Sequence, residues 1–196
     1  MRELPFGALL AIAIGCAAPP APTRSPGVAA MRITPPMGAR LLNSCTPTQA
    51  EVCFNAIDDN CNGVIDEGCG VHTGTVQFEL AWNGSKSKVA FYLLLPPDNH
   101  RMPDSGEAPD SPGFHHDRNC SATDDCGGQN VENIYFDGVT PPKGHYEVHV
   151  TLDELGSEEP PIRAHFGVRI EERSVAYELE LTPGTEGHRS FGFDIR

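Results

Sequence analysis

The chain has few basic residues: 14 lysines and arginines stand against 27 aspartates and glutamates, so the formal net charge is −13. A surface of that sign repels the phosphates of nucleic acids and attracts divalent cations. We therefore expect no nucleic-acid partner. Long apolar runs are equally scarce. Only the stretch from Leu4 to Ile14 is mostly apolar, and it is too short to cross a bilayer as a permanent helix.

The signatures of common enzymes are also missing. The sequence has no Gly-x-Ser-x-Gly motif, no glycine loop that could cradle a phosphate and no paired-carboxylate signature. Its cysteines fit disulfides better than reactive thiolates. We therefore predict that the protein is not an enzyme.

The first 15 residues have the layout of a signal peptide, with Arg2 ahead of an apolar stretch and small residues. Ala13-Ile14-Gly15-Cys16 resembles the lipobox of bacterial lipoproteins, in which signal cleavage leaves a lipid-modified cysteine. The resemblance implies export and a lipid anchor on Cys16 at the outer membrane or cell surface. An ordinary cleaved signal peptide, which would leave the protein periplasmic or extracellular, is the alternative. Residues 16–44 are rich in Ala, Pro, Gly, Ser and Thr and predict a flexible, disordered tether.

Seven cysteines become six once Cys16 is assigned to the anchor, and an even number in an exported chain indicates disulfides. We predict that Cys120 and Cys126 pair with each other. The other four recur at every eighth residue and define a small module over residues 45–70, whose disulfide connectivity the sequence leaves open. They are Cys45, Cys53, Cys61 and Cys69.

The run between Cys53 and Cys69 has the alternating acidic and amide residues of a calcium loop, closed by Gly63 at the sharp turn. Calcium takes about 6–8 oxygen ligands, and this alternation directs several oxygens towards one centre, with Ile65 pointing inward. Cys69 stands where a terminal glutamate would provide two oxygens, so Glu67 or Asp59 would replace it. The predicted calcium ligands are Asp58, Asp59, Asn60, Asn62, the Val64 carbonyl, Asp66 and Glu67.

The same run resembles the Cys- and Asp-rich metal-binding motif of secreted MopE-like bacterial proteins and, more loosely, the thrombospondin type 3 repeats. An Asx-rich turn without an ion and a four-cysteine zinc site are the two alternatives. The matching residues are Cys53, Asn55, Asp58, Asp59, Asn60, Cys61, Asn62, Gly63, Asp66, Glu67 and Cys69.

Residues 71–196 predict an antiparallel β-sandwich and hence a mainly β fold, because short apolar runs alternate with Gly, Pro and Asp clusters. The first run should turn one face inward, and the second should be covered on both faces. The stretch from Pro96 to Asn130 has no periodicity and predicts a long functional or disordered loop. The predicted strands are Val76–Trp82, Val89–Leu95, Asn133–Phe136, Tyr146–Leu152, Ala164–Ile170, Val175–Leu181 and Phe191–Ile195.

This larger domain resembles the secreted YfaP-like β-sandwich family. The resemblance depends on Val131-Glu132-Asn133-Ile134 followed by the segment from Pro142 to Val150. The family begins an earlier strand with Asp-Leu-Asp-Leu, whereas this chain has Lys88-Val89-Ala90-Phe91 there. It therefore lacks both aspartates of that strand.

Two groups of histidines are further candidates for metal binding. The strand period of two places His145, Glu147 and His149 on one face, and His115-His116-Asp117 lies in the long loop. A solvated outer face is the simpler account of the first group.

The function we expect is that of an exported, non-catalytic binding or structural protein of the cell envelope, with calcium organising the module. The alternatives are a metalloenzyme or hydrolase using these histidines, and an adhesin-like module that binds a cell-surface glycan or protein.

Overall fold

The computed structural model describes residues 32–42, 45–103, 106–108, 112–120 and 129–196. Their strands form two antiparallel sheets that share one hydrophobic core, which confirms the predicted β-sandwich. Over these residues the structure has no α-helix, and one helical turn of the 3-10 type covers Thr185–Gly187. No helix in this part of the chain could span a membrane.

The strands are β1 (Arg32–Thr34), β2 (Arg40–Leu42), β3 (Val76–Trp82), β4 (Lys88–Leu95), β5 (His100–Arg101), β6 (Gly106–Glu107), β7 (Phe114–Asn119), β8 (Val131–Phe136), β9 (Gly144–Glu154), β10 (Ile162–Ile170), β11 (Arg173–Leu181) and β12 (His188–Ile195). The smaller sheet has the order β1-β12-β9-β4-β5. The larger sheet has the order β2-β11-β10-β3-β8-β7-β6.

The core lies between the sheets and consists of alternate residues of their central strands. Phe166 of β10 is its aromatic centre, with ring centroids 4.4 Å from Phe191 and 6.3 Å from Phe91. Since aromatic rings bury large apolar areas and prefer tilted contacts of this kind, they account for much of the contact between the sheets. Tyr146 is fully buried, and its hydroxyl donates a hydrogen bond to the carbonyl of Pro142.

The periodicity of β3 predicted its bounds but not its environment. Val76, Phe78 and Leu80 face the core as expected. The opposite face is covered as well: Gln77 and Glu79 are each 0% exposed. The alternation does not reveal this, because residues of the cysteine-rich module pack there.

The prediction that β4 is covered on both faces is wrong. Its residues alternate between buried and half-buried, so only one face is covered completely. Ala90, Tyr92 and Leu94 lie on the side that no second layer covers fully. A run of apolar residues is therefore not evidence for two buried faces when several are aromatic or small.

Two segments expected to lack regular structure contain strands. Inside the tether predicted over residues 16–44, β1 pairs with β12 and β2 pairs with β11, so the tether prediction is wrong there. Inside the predicted long loop, β7 pairs with β8. The sequence pattern did not reveal β1 and β2, because an edge strand is held mainly by backbone hydrogen bonds and needs little apolar alternation. The predicted signal peptide and Cys16 lie outside the described residues.

Candidate metal-binding module

The module is closed by two interleaved disulfides, Cys45–Cys61 and Cys53–Cys69, each with a sequence separation of 16. This pairing resolves the connectivity that the sequence left open. Each bond joins residues two repeats apart in the eight-residue cysteine pattern. Cys120 is also disulfide-bonded, whereas its predicted partner Cys126 lies outside the described residues.

The module packs on the outer face of the larger sheet. Its Ala56 and Ile65 are 0% exposed, which confirms that Ile65 points inward. They lie over Gly167 of β10, where an added Cβ would come within 2.3 Å of the Ala56 carbonyl oxygen and 3.0 Å of Ile65 Cδ1. Only a residue without a side chain allows this approach. Gln77 Nε2 lies 3.4 Å from the Ile65 carbonyl and adds a polar contact.

Asp58 holds the turn of the predicted calcium loop and ties it to the sheet. Its Oδ1 accepts a hydrogen bond from the Asn62 N–H (3.1 Å), and its Oδ2 accepts one from the Gly63 N–H (2.8 Å). The Ser174 hydroxyl of β11 also donates to Oδ2 (2.6 Å). Glycine is required at position 63 for two reasons. Its φ is +87°, and an added Cβ would lie 2.4 Å from the Glu172 carbonyl oxygen.

Three predicted ligands meet beside this turn. Asn60 Nδ2 and Asn62 Nδ2 each lie 2.5 Å from Glu67 Oε1. The amide oxygens accept backbone hydrogen bonds, Asn60 Oδ1 from Asn62 N (2.9 Å) and Asn62 Oδ1 from Val64 N (2.8 Å). The other carboxylate oxygen, Glu67 Oε2, is buried and has no hydrogen-bond partner.

The remaining predicted ligands point elsewhere. Asp59 Oδ2 accepts from Val52 N (3.0 Å) and from Asn55 Nδ2 (2.9 Å). Asp66 Oδ2 accepts from the N–H groups of Asn55 (3.1 Å) and Ala56 (3.2 Å). The structure therefore divides the predicted ligands between the loop itself and the contact with the sheet.

Several charged residues near the loop had no signal in the sequence pattern. Glu51 accepts from the Asn60 N–H (3.1 Å), and its pKa is raised by burial and then by the negative charge of Glu67. The Arg169 guanidinium interacts with the charges of Asp58 and Glu67 from β10. Sequence spacing could not find these residues, because chain folding alone brings them to the loop.

The strongest acidic contact joins the module to β3. The carboxyl groups of Asp66 and Glu79 share a hydrogen bond, and both side chains are 0% exposed. Burial raises the pKa of Asp66. Burial also raises the pKa of Glu79 well above its usual range, and the neighbouring Asp66 adds to this effect.

The donors of the module fit a hard cation in kind. Among the residues that the structure describes, no group of three or more His, Cys, Asp or Glu side chains converges as a metal site, so amide and carbonyl oxygens would have to contribute. Calcium accepts such mixed oxygen sets. Four buried acceptor oxygens lack hydrogen-bond partners, which is unusual for buried polar groups. They are Asp66 Oδ1, Glu67 Oε2, Gln77 Oε1 and Glu79 Oε1.

Residues 43–67 match the family described as "Cu-binding_MopE: Putative metal-binding motif". The match confirms the predicted resemblance to the MopE-like motif and supports metal binding by the module. Comparison with curated proteins and with solved structures finds no match.

The histidines predicted to share a face do not converge on one centre. His145 Nδ1 lies 3.0 Å from Asp194 Oδ1, whereas His149 Nδ1 lies 3.0 Å from Nε2 of His188. His149 Nε2 lies 3.4 Å from Glu147 Oε1. The residues of His115-His116-Asp117 lie on strand β7 rather than in a loop. Their nearest charged partners differ, namely Asp137, Glu132 and His72 respectively.

Burial lowers the pKa of His149 below 6.5; Glu147 opposes this shift and His188 adds to it. A histidine with a lowered folded pKa contributes stability that is present above the unfolded pKa and lost as the pH falls through the folded value. We therefore expect Tm to fall as the pH drops below about 6.5, the ordinary pKa of histidine, and the fall to be smaller in His149→Gln. Thermal unfolding of this variant and of the His145→Gln control measures the effect. An unchanged pH profile in His149→Gln would refute this explanation.

Proposed function

We propose that the chain is an exported, non-catalytic protein of the cell envelope in which calcium organises the cysteine-rich module on the β-sandwich. The four unpartnered acceptor oxygens between residues 66 and 79 carry this proposal. Oxygens that only accept hydrogen bonds, and that are buried from water, are stabilised by a cation. The family match over residues 43–67 supports the same conclusion for the module.

Calcium suits these donors better than copper, the metal in the family's name. Residues 45–70 contain no histidine or methionine, and their four cysteines are consumed in two disulfides. Copper and zinc favour imidazole and thiolate ligands, whereas carboxylate, amide and carbonyl oxygens favour calcium or magnesium. Calcium also tolerates the irregular geometry of a set divided between side chains and backbone.

The place of the protein in the cell belongs to the proposal as well. A signal peptide over residues 1–15 and lipid on Cys16 would anchor the chain at the outer membrane or cell surface, and the oxidised module requires an oxidising compartment. The remaining partner would be a surface glycan or protein, bound by a sandwich of the predicted YfaP-like type. Mass spectrometry of the processed N-terminus tests the anchor, and an unmodified Cys16 would contradict it.

Calorimetric titration of oxidised, chelator-stripped protein with calcium tests the metal. We expect binding with Kd of about 10⁻⁴–10⁻³ M, the range of extracellular modules. Asp58→Asn should weaken it at least about tenfold, because the substitution removes a charge and disturbs the turn. Asp98→Asn removes the same charge from an exposed turn after β4 and should leave binding unchanged. Absence of calcium binding at millimolar concentration would contradict the proposal.

A second candidate function is a metalloenzyme on the smaller sheet. The contact between His149 and His188, with Glu147 beside it, is the observation that favours it. Zinc or copper that is retained through purification and lost in His149→Gln would support this candidate. Purified protein that contains no metal and has normal stability would contradict this second function.

A further inference from the structure

Strand β3 presents two polar side chains to the module instead of to solvent. Gln77 and Glu79 lie on the outer face of the larger sheet, and both are 0% exposed. Gln77 Nε2 lies 3.0 Å from Glu79 Oε2 and 3.1 Å from Asn133 Oδ1. Its hydrogen bonds fix the amide so that Gln77 Oε1 is left without a partner. These contacts hold both β3 side chains against the module.

Asp66 approaches Glu79 from the module side. Its Oδ2 accepts two backbone N–H groups, but Oδ1 has no partner, and neither does Glu79 Oε1. Two buried carboxyl groups in contact are stable only where a shared proton or a nearby cation offsets their repulsion. The positive charge of Arg118 acts on Glu79, but among the described residues no hydrogen bond from a basic side chain reaches either carboxyl group.

We propose that Asp66, Glu79 and Gln77 form a calcium site shared by the module and the sandwich, in which β3 supplies ligands that the loop alone lacks. This inference rests on the proposed function and deepens it. All three unpartnered atoms are oxygens, one amide and two carboxyl, as a hard divalent cation requires. The site lies where the module meets the sheet, so calcium binding and module docking are one event.

The shared site also explains why Asp66 leaves the predicted loop. Asn60 and Asn62 contact Glu67, whereas Asp66 contacts Glu79 of β3. A loop without its terminal glutamate gains a carboxylate from Glu79 instead. The missing ligand is supplied by a residue 12 positions beyond Glu67 in the sequence.

Glu79→Gln tests the inference when its Tm is measured in chelator and again in calcium. In chelator, Tm should stay equal or rise, because the neutral amide can still donate a hydrogen bond to Asp66 and needs no proton to do so. In calcium, the rise in Tm seen for the parent protein should be lost, and calcium affinity should fall at least about tenfold. Gln77→Met removes the amide oxygen while keeping length, and it should also weaken calcium binding.

Glu132→Gln is the matched control. Glu132 is a buried carboxyl group on the neighbouring strand β8, but it faces the core and accepts a hydrogen bond from Phe91 N (3.1 Å). Its substitution should change Tm equally in chelator and in calcium. If the parent protein binds calcium and both β3 variants bind it equally well, the shared site is refuted while the proposed function stands. If the parent protein binds none, both are refuted.

Discussion

Gly167→Ala will lift the module off the sheet. The new Cβ would lie 2.3 Å from the Ala56 carbonyl oxygen, a backbone atom close to the Cys53–Cys69 disulfide that cannot move aside cheaply. Overpacking of this kind costs about 1–3 kcal/mol, which is comparable to the free energy expected of a small docked module. Gly167 lies within strand β10 and has no positive φ, so alanine suits its backbone and the sandwich should remain folded.

Limited proteolysis and calcium titration measure this effect. We expect the chain to become cleavable within residues 45–70 and to bind calcium more weakly, while its β-sheet circular dichroism is unchanged. Gly192→Ala is the control, because its Cβ would meet the half-exposed imidazole of His145 at 3.1 Å and Thr34 Cβ at 3.9 Å, an ordinary contact distance. An intact module in Gly167→Ala would contradict the docked arrangement.

Removing the Cys53–Cys69 disulfide by a double serine substitution will have an effect of similar size. The chain-entropy account gives about 3 kcal/mol for a closed loop of about 15 residues. Since the loop 53–69 contains Asp66 and every calcium ligand predicted from the sequence alone, loss of the disulfide should also abolish calcium binding in the millimolar range. Chemical denaturation and calcium titration of the oxidised variant measure both effects.

Cys45–Cys61 provides a matched comparison, because it has the same sequence separation of 16. Its removal leaves the loop 53–69 closed, so we expect a similar loss of stability but a smaller loss of calcium affinity. If the two double serine variants bind calcium with equal affinity, the Cys53–Cys69 disulfide does not organise the ligands between those cysteines.

The sandwich could be predicted wherever one face of a strand packs on the core. Val76, Phe78, Leu80 and Trp82 alternate regularly, and the bounds of β3 were correct. The prediction did not extend to the burial of Gln77 and Glu79, because the layer that covers them comes from another part of the chain. It failed for β7 because His116 is buried beside Glu132, so no apolar residue marks that position. Alternation of apolar and polar residues indicates which face of a strand packs on the core. It cannot reveal whether another part of the chain covers the opposite face.

The loop between Cys53 and Cys69 could be predicted only as far as its contacts are local. The spacing of Asp58, Asn60 and Asn62 correctly indicated a turn built from their own side chains and backbone. The direction of Asp66 could not be predicted, since it depends on Glu79 of β3. The contribution of Ser174 likewise depends on where β11 lies. Sequence spacing therefore predicts the loop and leaves its attachment to the sheet unknown.

The most direct test of a calcium-organised module is hydrogen exchange of its backbone amides in oxidised protein, with calcium and with chelator. The informative amides are those that donate to side chains of predicted ligands, at residues 52, 55, 56, 62, 63 and 64. Calcium should slow their exchange at least about tenfold while β9 and β12 exchange unchanged, because local opening must then release the ion. Identical exchange in both conditions would contradict the proposal that calcium holds this module together.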